Sequence, residues 1–415
     1  MSEARARTRA LVLSTGKPLF DAARAAFAEG TEYLDLSVCP AGEQPSAAAL
    51  TVPSFDHDRE TLGIVDRIMA RTPFRYVLAT SESNVAFAAF LRSRYGLPGL
   101  DFESALGVTN KWRMKASVGR ALPAPRSWLS GDFAVAPLGS LPREVVVKPL
   151  SGSSGKGVRR LPAWEARRLA VEADGLFLVE EAVEVDAELH VDGVVRGGVL
   201  RAALASAYDR PVLSAAGTTR ASLHLPPGDP RQGPALRAAG RCVAALGVAD
   251  CVFHLELFRE AGGGLLFNEI ALRPAGGGVA ESLLLFHGVD LWEEFVRIQL
   301  GRPPGEGARG TAGPGGPGPG PGRGAAGAGG AGPGGFCGVI GVAAPVPGDG
   351  RRVPGDRELL AVPGVVRVSA GSSRAAARAR LGSSCAFSRL AFFSCPDEAA
   401  AHAAVAGVDR LTAAR

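Results

Sequence analysis

The chain has 415 residues, enough for two to four domains, and its 46% hydrophobic content can fill real cores. A formal net charge of +5 is small for that length, and no basic run is interleaved with aromatics, which argues against nucleic acid as the main partner. No stretch is apolar for long enough to cross a bilayer and no secretory leader is evident, so the expectation is a cytoplasmic protein without a membrane partner.

Residues 10–105 alternate strand-like and helical runs. Ala10–Ser14, Tyr33–Val38 and Tyr76–Thr80 read as strands, and Ala22–Ala28, Glu60–Arg71 and Val85–Tyr95 as helices, which predicts a small N-terminal α/β domain with a parallel sheet. The turn after its first strand, Ser14-Thr15-Gly16-Lys17, lacks G-x-G-x-x-G, so a dinucleotide role is unsupported. Residues 106–300 mix short strands, turns and a few helices. Residues 301–335 are almost wholly Gly, Pro, Ala and Arg, cannot bury a core, and predict a flexible linker. Beyond it, strands near Gly338–Ala343 and Val365–Val368 and a helix near Glu398–Ala406 predict a separate α+β domain at 336–415. The cysteines, Cys39, Cys242, Cys251, Cys337, Cys385 and Cys395, include no C-x-x-C pair, which argues against a zinc site and a disulfide framework.

The lysines carry the first chemical signal. Among 46 basic residues only five are lysine, and Lys111, Lys115, Lys148 and Lys156 fall together. Such a cluster suggests a local need for a point-like ammonium in place of a planar guanidinium. Val145–Pro149 reads as a buried strand carrying Lys148, and the run Ser151-Gly152-Ser153-Ser154-Gly155-Lys156-Gly157 follows it at once. Lysines flanking a flexible loop rich in backbone N–H groups are suited to hold a polyphosphate.

Carboxylates follow in order. The strand Leu176–Glu181 ends in Glu180-Glu181, with Glu188 eight residues after Glu180. Phe253–Phe258 carries Glu256, and Leu265–Ile270 carries Glu269 ahead of Arg273-Pro274 and Gly276-Gly277-Gly278. The turn Ala261–Gly264 predicts a hairpin in which Glu256 and Glu269 share a face. Two such acids repel unless a cation joins them, and all-oxygen ligands select Mg²⁺ or Mn²⁺. Together these parts describe an ATP–Mg²⁺ site.

The ordered series Asn110-Lys111 with Met114, Val147-Lys148-Pro149, Ser151–Gly157, Val179-Glu180-Glu181, Glu188, His254-Leu255-Glu256 and Asn268-Glu269-x-x-x-Arg273-Pro274 resembles the ATP-grasp superfamily. Within it, residues from about 75 to 300 are most similar to carboxylate–amine ligases of the L-amino-acid ligase type. The stretch from Asn268 to Pro274 is also similar to the carboxyaminoimidazole ribonucleotide synthetases of purine synthesis. The resemblance implies an ATP-grasp fold of α/β and α+β parts. These would be a Rossmann-like pre-ATP-grasp domain at 1–105, an ATP-grasp domain at 106–300 with a lid subdomain at about 120–182, and a small C-terminal α+β domain.

Residue roles follow from the same resemblance. Lys111 and Lys148 would contact the ATP phosphates, and Ser151, Gly152, Ser153, Ser154, Gly155, Lys156 and Gly157 would close over them. Glu180 and Glu181, with the backbone at Ala182 and Val183, would read the adenine edge, and Glu188 would hold the ribose hydroxyls. Glu256 and Glu269 would bind Mg²⁺, and Arg273 would stabilise the transferring phosphoryl group. Ala271 stands where many members have a metal-binding Asn, which weakens the case for a second ion. Gly276 and Gly277 would shape the acceptor side. Arg220 reads either as a carboxylate anchor for substrate or as a surface arginine. His190, His224 and His254 read as satisfied strand histidines. The implied activity joins an amino acid or related carboxylate to an amine through an acyl phosphate, releasing ADP and phosphate; a homodimer is compatible with it. Two alternatives stand beside this reading: a ligase of the purine or carboxylase type that phosphorylates bicarbonate, and a nucleotide-binding regulator without turnover.

Overall fold

The computed structural model describes residues 7–38, 50–55, 58–213, 218–305, 335–345, 350–371 and 387–413. The chain divides into two compact units, one formed by residues 1–109 with 292–306 and the other by 110–291 with 307–415.

The first unit is a parallel sheet with helices. Strands β1 (Thr8–Ser14), β2 (Thr31–Val38), β3 (Leu50–Val52) and β4 (Tyr76–Ala79) lie in the order β3-β2-β1-β4, every pairing parallel. Ala10, Leu11, Val12 and Leu13 are all buried, the unbroken apolar run of a strand covered on both faces. The helix Arg59–Arg71 starts where the Asp58 side chain accepts from Thr61 N–H at 2.8 Å. The helix Glu82–Tyr95 starts on a capping box between Ser81 and Asn84 and stops at Gly96, whose φ of 64° only glycine adopts cheaply. Its Phe87 and Leu91 enter one core with Leu11, Leu13, Leu36 and Val77, each such side chain contributing about 2 kcal/mol. The return of Trp292–Glu306 to this unit was not expected from the sequence, which assigns residues up to 300 to the second domain. Its physical basis is a backbone-like bridge: Gln299 accepts from Ala79 N–H at 2.7 Å and donates to Ala79 O at 3.0 Å, satisfying the edge strand β4.

The second unit holds two antiparallel sheets. The smaller consists of β5 (Ser127–Leu129), β6 (Glu144–Pro149), β7 (Arg159–Pro162) and β8 (Phe177–Glu181) in the order β5-β8-β6-β7. Val145, Val147 and Val179 meet Phe133 and Ala166 of two short helices on one face of it. Because strand side chains alternate, Lys148 on β6 and Glu180 on β8 are turned to the other face.

The larger sheet has eight strands: β9 (Ala187–Arg196), β10 (Val199–Tyr208), β11 (Arg220–His224), β12 (Cys251–Arg259), β13 (Leu265–Ala271), β14 (Phe336–Ala343), β15 (Val365–Ala370) and β16 (Phe387–Cys395). Their order is β13-β12-β9-β10-β11-β14-β16-β15, with every pairing antiparallel. The helix Gln232–Leu246 packs against β9, β10 and β13 through its buried Ala235, Ala238, Ala239 and Cys242.

The C-terminal segment therefore departs from the expected separate domain. β14 pairs with β11 from Arg220↔Gly341 to His224↔Cys337, so 336–395 prolongs the central sheet. The run from Phe336 to Val342 is buried on both faces and cannot be an edge, and closing even a long connection costs only logarithmically more than a short one. Most of the expected linker, residues 306–334, lies outside the described residues.

Two glycine substitutions test this packing. A Cβ on Gly338 would sit 2.0 Å from the Ser222 carbonyl oxygen, so Gly338→Ala is expected to destabilise by about 1–3 kcal/mol or more, read as a lower urea midpoint. A Cβ on Gly240, inside the helix Gln232–Leu246, meets nothing within 4 Å, and Gly240→Ala is expected to stabilise by about 0.5–1 kcal/mol in the same assay.

Candidate active site

The site is built around one shared carboxylate. Glu180 is 2% exposed and lies 2.6 Å from Lys148 Nζ and 2.8 Å from Lys115 Nζ. Burial alone would raise its carboxyl, but the two ammonium charges outweigh that and hold it down. Burial also pulls Lys148 down, yet Glu180 reverses the sign and raises it; in Lys115 burial wins, with the Lys148 charge helping, and the ammonium is lowered. One carboxylate can neutralise only one of the two cations, so positive charge is left over where it points.

Lys115 arrives by helical spacing. Asn110 caps the helix Lys111–Val118 by accepting from Arg113 N–H at 3.1 Å, and Lys111 and Lys115, four apart, share one side of it. Lys111 Nζ donates to Gly152 O at 2.8 Å and stands 3.5 Å from Glu269, tying the helix to the glycine-rich loop and to β13. The expected site residues omitted Lys115. The signal was available, since only the i,i+4 spacing from Lys111 was needed.

The β12–β13 hairpin forms as expected, with Glu256 directly opposite Glu269. Its register contains a feature the sequence did not show. Leu257 pairs with Phe267, so Asn268 is an extra residue, a bulge, between Phe267 and Glu269. In a regular strand Asn268 and Glu269 would face opposite ways. With the bulge both serve the site: Asn268 accepts from Lys148 Nζ at 3.0 Å through Oδ1 and donates to Glu256 at 3.1 Å through Nδ2, while its carbonyl accepts from Lys115 at 3.2 Å.

Behind Glu256 lies a buried polar network on alternate residues of β9 to β12. His254 bridges Asp192 (Nδ1, 2.9 Å) and Glu256 (Nε2, 3.3 Å), and His190 bridges the other Asp192 oxygen (2.6 Å) and Ser222 (2.8 Å). Burial would lower His254, but the Asp192 charge raises it to about 10, and the resulting imidazolium donates to both carboxylates. Burial would raise Glu256; the bond from His254 and its charge hold the carboxyl down at about 2. Tyr208 donates to Glu256 at 3.4 Å, and the buried Arg220 guanidinium lies 4.9 Å from the Tyr208 ring centre and 5.7 Å from that of Phe387. Arg220 is thus no surface arginine. His190 and His254, read from sequence as satisfied strand histidines, are partnered on both ring nitrogens, and in His254 one partner is a site acid.

The remaining residues distribute as follows. Glu188, on the Glu256 face of β9, accepts from Val212 N–H at 3.2 Å; burial, helped by the Glu256 charge, raises its carboxyl to about 7. The Ser151–Gly157 loop is largely exposed, with Gly152, Gly155 and Gly157 at positive φ; Ser154, at 62°, is the one non-glycine residue so strained among the described residues. Glu181 departs from the expected nucleotide role, because Arg126 takes both its oxygens at 2.7 and 3.0 Å on the exposed side of β8. Ala182 N–H is committed to Glu144 O at 3.1 Å. Arg273 donates to Pro274 O at 3.0 Å, and Gly276 and Gly277 lead into the helix Val279–His287.

No family model matches the chain. In sequence it is 27% identical over 284 residues, 61% of this chain and 67% of its relative, to an L-arginine-specific L-amino acid ligase of Bacillus subtilis. In structure it is similar to an L-amino acid ligase from Bacillus licheniformis, with a TM-score of 0.68 at 17% identity and 98% of both chains covered. It is similar as well to a carboxyaminoimidazole ribonucleotide synthase of Aspergillus clavatus complexed with ATP, with a TM-score of 0.66 at 16% identity, covering 98% of this chain and 99% of that one. The fold is that of the ATP-grasp ligases. Among the described residues no helix is long and apolar enough to cross a membrane.

The shared carboxylate makes a prediction about stability. Glu180→Gln leaves two buried ammonium groups without their carboxylate and is expected to lose about 3 kcal/mol in urea unfolding. Adding Lys148→Met removes one of the stranded charges and should recover part of that loss without restoring ATP binding by calorimetry.

Proposed function

We propose that this ATP-grasp chain, related in sequence to an L-amino acid ligase, is an ATP-dependent carboxylate–amine ligase that joins an amino acid or related carboxylate to an amine. The observation that carries the reading is a convergence: the opposed acids Glu256 and Glu269, the bulged Asn268, and buried Lys111, Lys115 and Lys148 beside a glycine-rich loop.

In this reading Lys111 and Lys148 neutralise the ATP phosphates, and the N–H groups of Ser151–Gly157, with Lys156 at the exposed turn, cover them. Glu180 acts through the lysines it orients. The adenine edge is left to the backbone around Glu181–Val183, and Glu188 takes the ribose hydroxyls. Glu256 and Glu269 fit Mg²⁺ or Mn²⁺, since they offer only hard oxygen atoms and their mutual repulsion is relieved by a cation. Bound there, the ion would supply charge neutralisation for the phosphates. Ala271 offers no ligand to a second ion.

The chemistry needs positioning more than covalent catalysis. A substrate carboxylate oxygen attacks the γ-phosphorus, the bond to the ADP oxygen breaks, and an acyl phosphate forms. The amine then attacks the acyl carbon, phosphate departs with the C–O bond pair, and the nitrogen gives up a proton to leave an amide. In this reading Arg273 stabilises the equatorial oxygens of the transferring group, and the loop excludes the water that would hydrolyse the intermediate. Such a reaction belongs in the cytoplasm, where ATP is supplied.

The test is ADP release from Mg-ATP with single amino acids, amino-acid pairs or bicarbonate as triggers, with products read by mass spectrometry. Release requiring an amino acid, with a product one water lighter than its parts, is the expected result; bicarbonate-driven release would instead make it a ligase of the carboxylase type, and ATP binding without release a regulator. Arg273→Lys is expected to lower kcat by about 10²–10³-fold with ATP affinity little changed, since a lysine cannot reproduce the guanidinium fork. Glu269→Ala should abolish turnover at any Mg²⁺ concentration tested.

A further inference from the structure

Three side chains from distant parts of the second unit turn their donor atoms toward one point. They are His224 at the end of β11, His287 at the end of the helix Val279–His287, and Cys337 near the start of β14. His224 Nδ1 and His287 Nε2 are 2.9 Å apart, and Cys337 Sγ lies 3.5 Å from the first and 3.7 Å from the second. An ion with metal–nitrogen bonds of about 2.0–2.1 Å and a metal–sulfur bond of about 2.3 Å spaces tetrahedral ligands at ~3.3–3.4 Å for N···N and ~3.5–3.6 Å for N···S. The sulfur distances fall within about 0.1 Å of that spacing, and the nitrogen pair is closer by about 0.4 Å, so the imidazoles must part slightly to admit an ion.

Without an ion the cluster holds at most one N–H···N bond and leaves the Cys337 thiol proton unused. Ser282 Oγ spends its hydrogen on Val279 O at 2.8 Å, so His224 Nε2, 2.9 Å from that oxygen, must be the donor. Neutral His224 then presents a bare lone pair at Nδ1. If His287 Nε2 carries a proton it fills that lone pair and the Cys337 S–H has no acceptor among the three. If it does not, two lone pairs face each other at hydrogen-bond distance. Cross-strand from His224, Ser206 has a buried hydroxyl with no partner among the described residues, the kind of group a metal-bound water satisfies.

We propose that His224, His287 and Cys337 form a site for a zinc-class transition-metal ion, separate from the Mg²⁺ acids and with a fourth position open to water. A His₂Cys set of borderline and soft donors favours Zn²⁺ over Mg²⁺. Two neutral imidazoles and one thiolate leave a divalent ion with a single net charge, and binding releases the Cys337 proton. Residues 287 and 337 flank the glycine-rich segment, so the ion staples β14, and with it the C-terminal strands, to β11 and the helix end. The sequence pointed away from zinc because it lacks C-x-x-C; here the ligands come from three elements far apart in the chain.

The full-length untagged protein, stripped with chelator and returned to excess Mg²⁺, is titrated with Co²⁺. One equivalent should give a thiolate-to-cobalt charge-transfer band that Zn²⁺ displaces, and the Zn²⁺-loaded protein should melt higher than the stripped one. Cys337→Ser, with its fold checked by circular dichroism, should lose the band. His287→Gln, at a partly exposed helix end that tolerates change better, should weaken Co²⁺ binding by at least about 10-fold. No thiolate band in the folded wild type, or a band that survives Cys337→Ser, would overturn the proposal.

Discussion

A carboxylate sealed from water must be paired, and the pairing of Glu180 with two lysines organises everything around the nucleotide reading. Each partner comes from a different element: Lys148 from β6, Lys115 from the helix after Asn110, and both reach onward to Asn268 on β13. The small sheet, that helix and the large sheet thus meet through one buried charge cluster. Because one anion faces two cations, the cluster holds its lysines in fixed geometry and still has positive charge to offer a phosphate. A buried pair of this sort is weak as a source of stability, and its value lies in the geometry it imposes.

Sheet geometry decides which residues can join that cluster. One cross-strand row runs Glu269, Glu256, His190, Ser206, His224 and Cys337 through five consecutive pairings. All six are on one face, because residues directly opposite in a ladder point the same way. The acids proposed for Mg²⁺ and the thiol proposed for a softer ion are therefore residents of one polar face, kept apart by at least four strand spacings, or ~19 Å. A one-residue slip between β9 and β12 would put Glu256 and Glu269 on the face opposite His190 and the rest of the row, so that pairing is as much a functional constraint as any site residue.

The ligase reading is compatible with both of the structures it resembles, and the difference between them is chemical. An amino-acid substrate brings an α-ammonium group and a side chain that its pocket must hold, and bicarbonate brings neither. Arg220, held between Tyr208 and Phe387 on the site face, is a cation of the kind an anchoring pocket uses. Phe387 belongs to a C-terminal strand, so the segment after the glycine-rich stretch reaches the polar face of the central sheet.

Much of this was legible in the chain itself. The alternation of strands and helices in the first hundred residues, the lysine-bearing strand before a glycine-rich loop, and the two acids of one hairpin all follow from local periodicity and turn chemistry, which a single sequence carries. Asn110 and Lys111 were visible for the same reason. What the tertiary structure decided depends on pairing between remote segments, where loop-closure entropy is nearly indifferent to length and sequence spacing says nothing. It alone joined β14 to β11, returned Gln299 to the edge of the first sheet, inserted the bulge that brings Asn268 beside Glu269, and brought His224, His287 and Cys337 together.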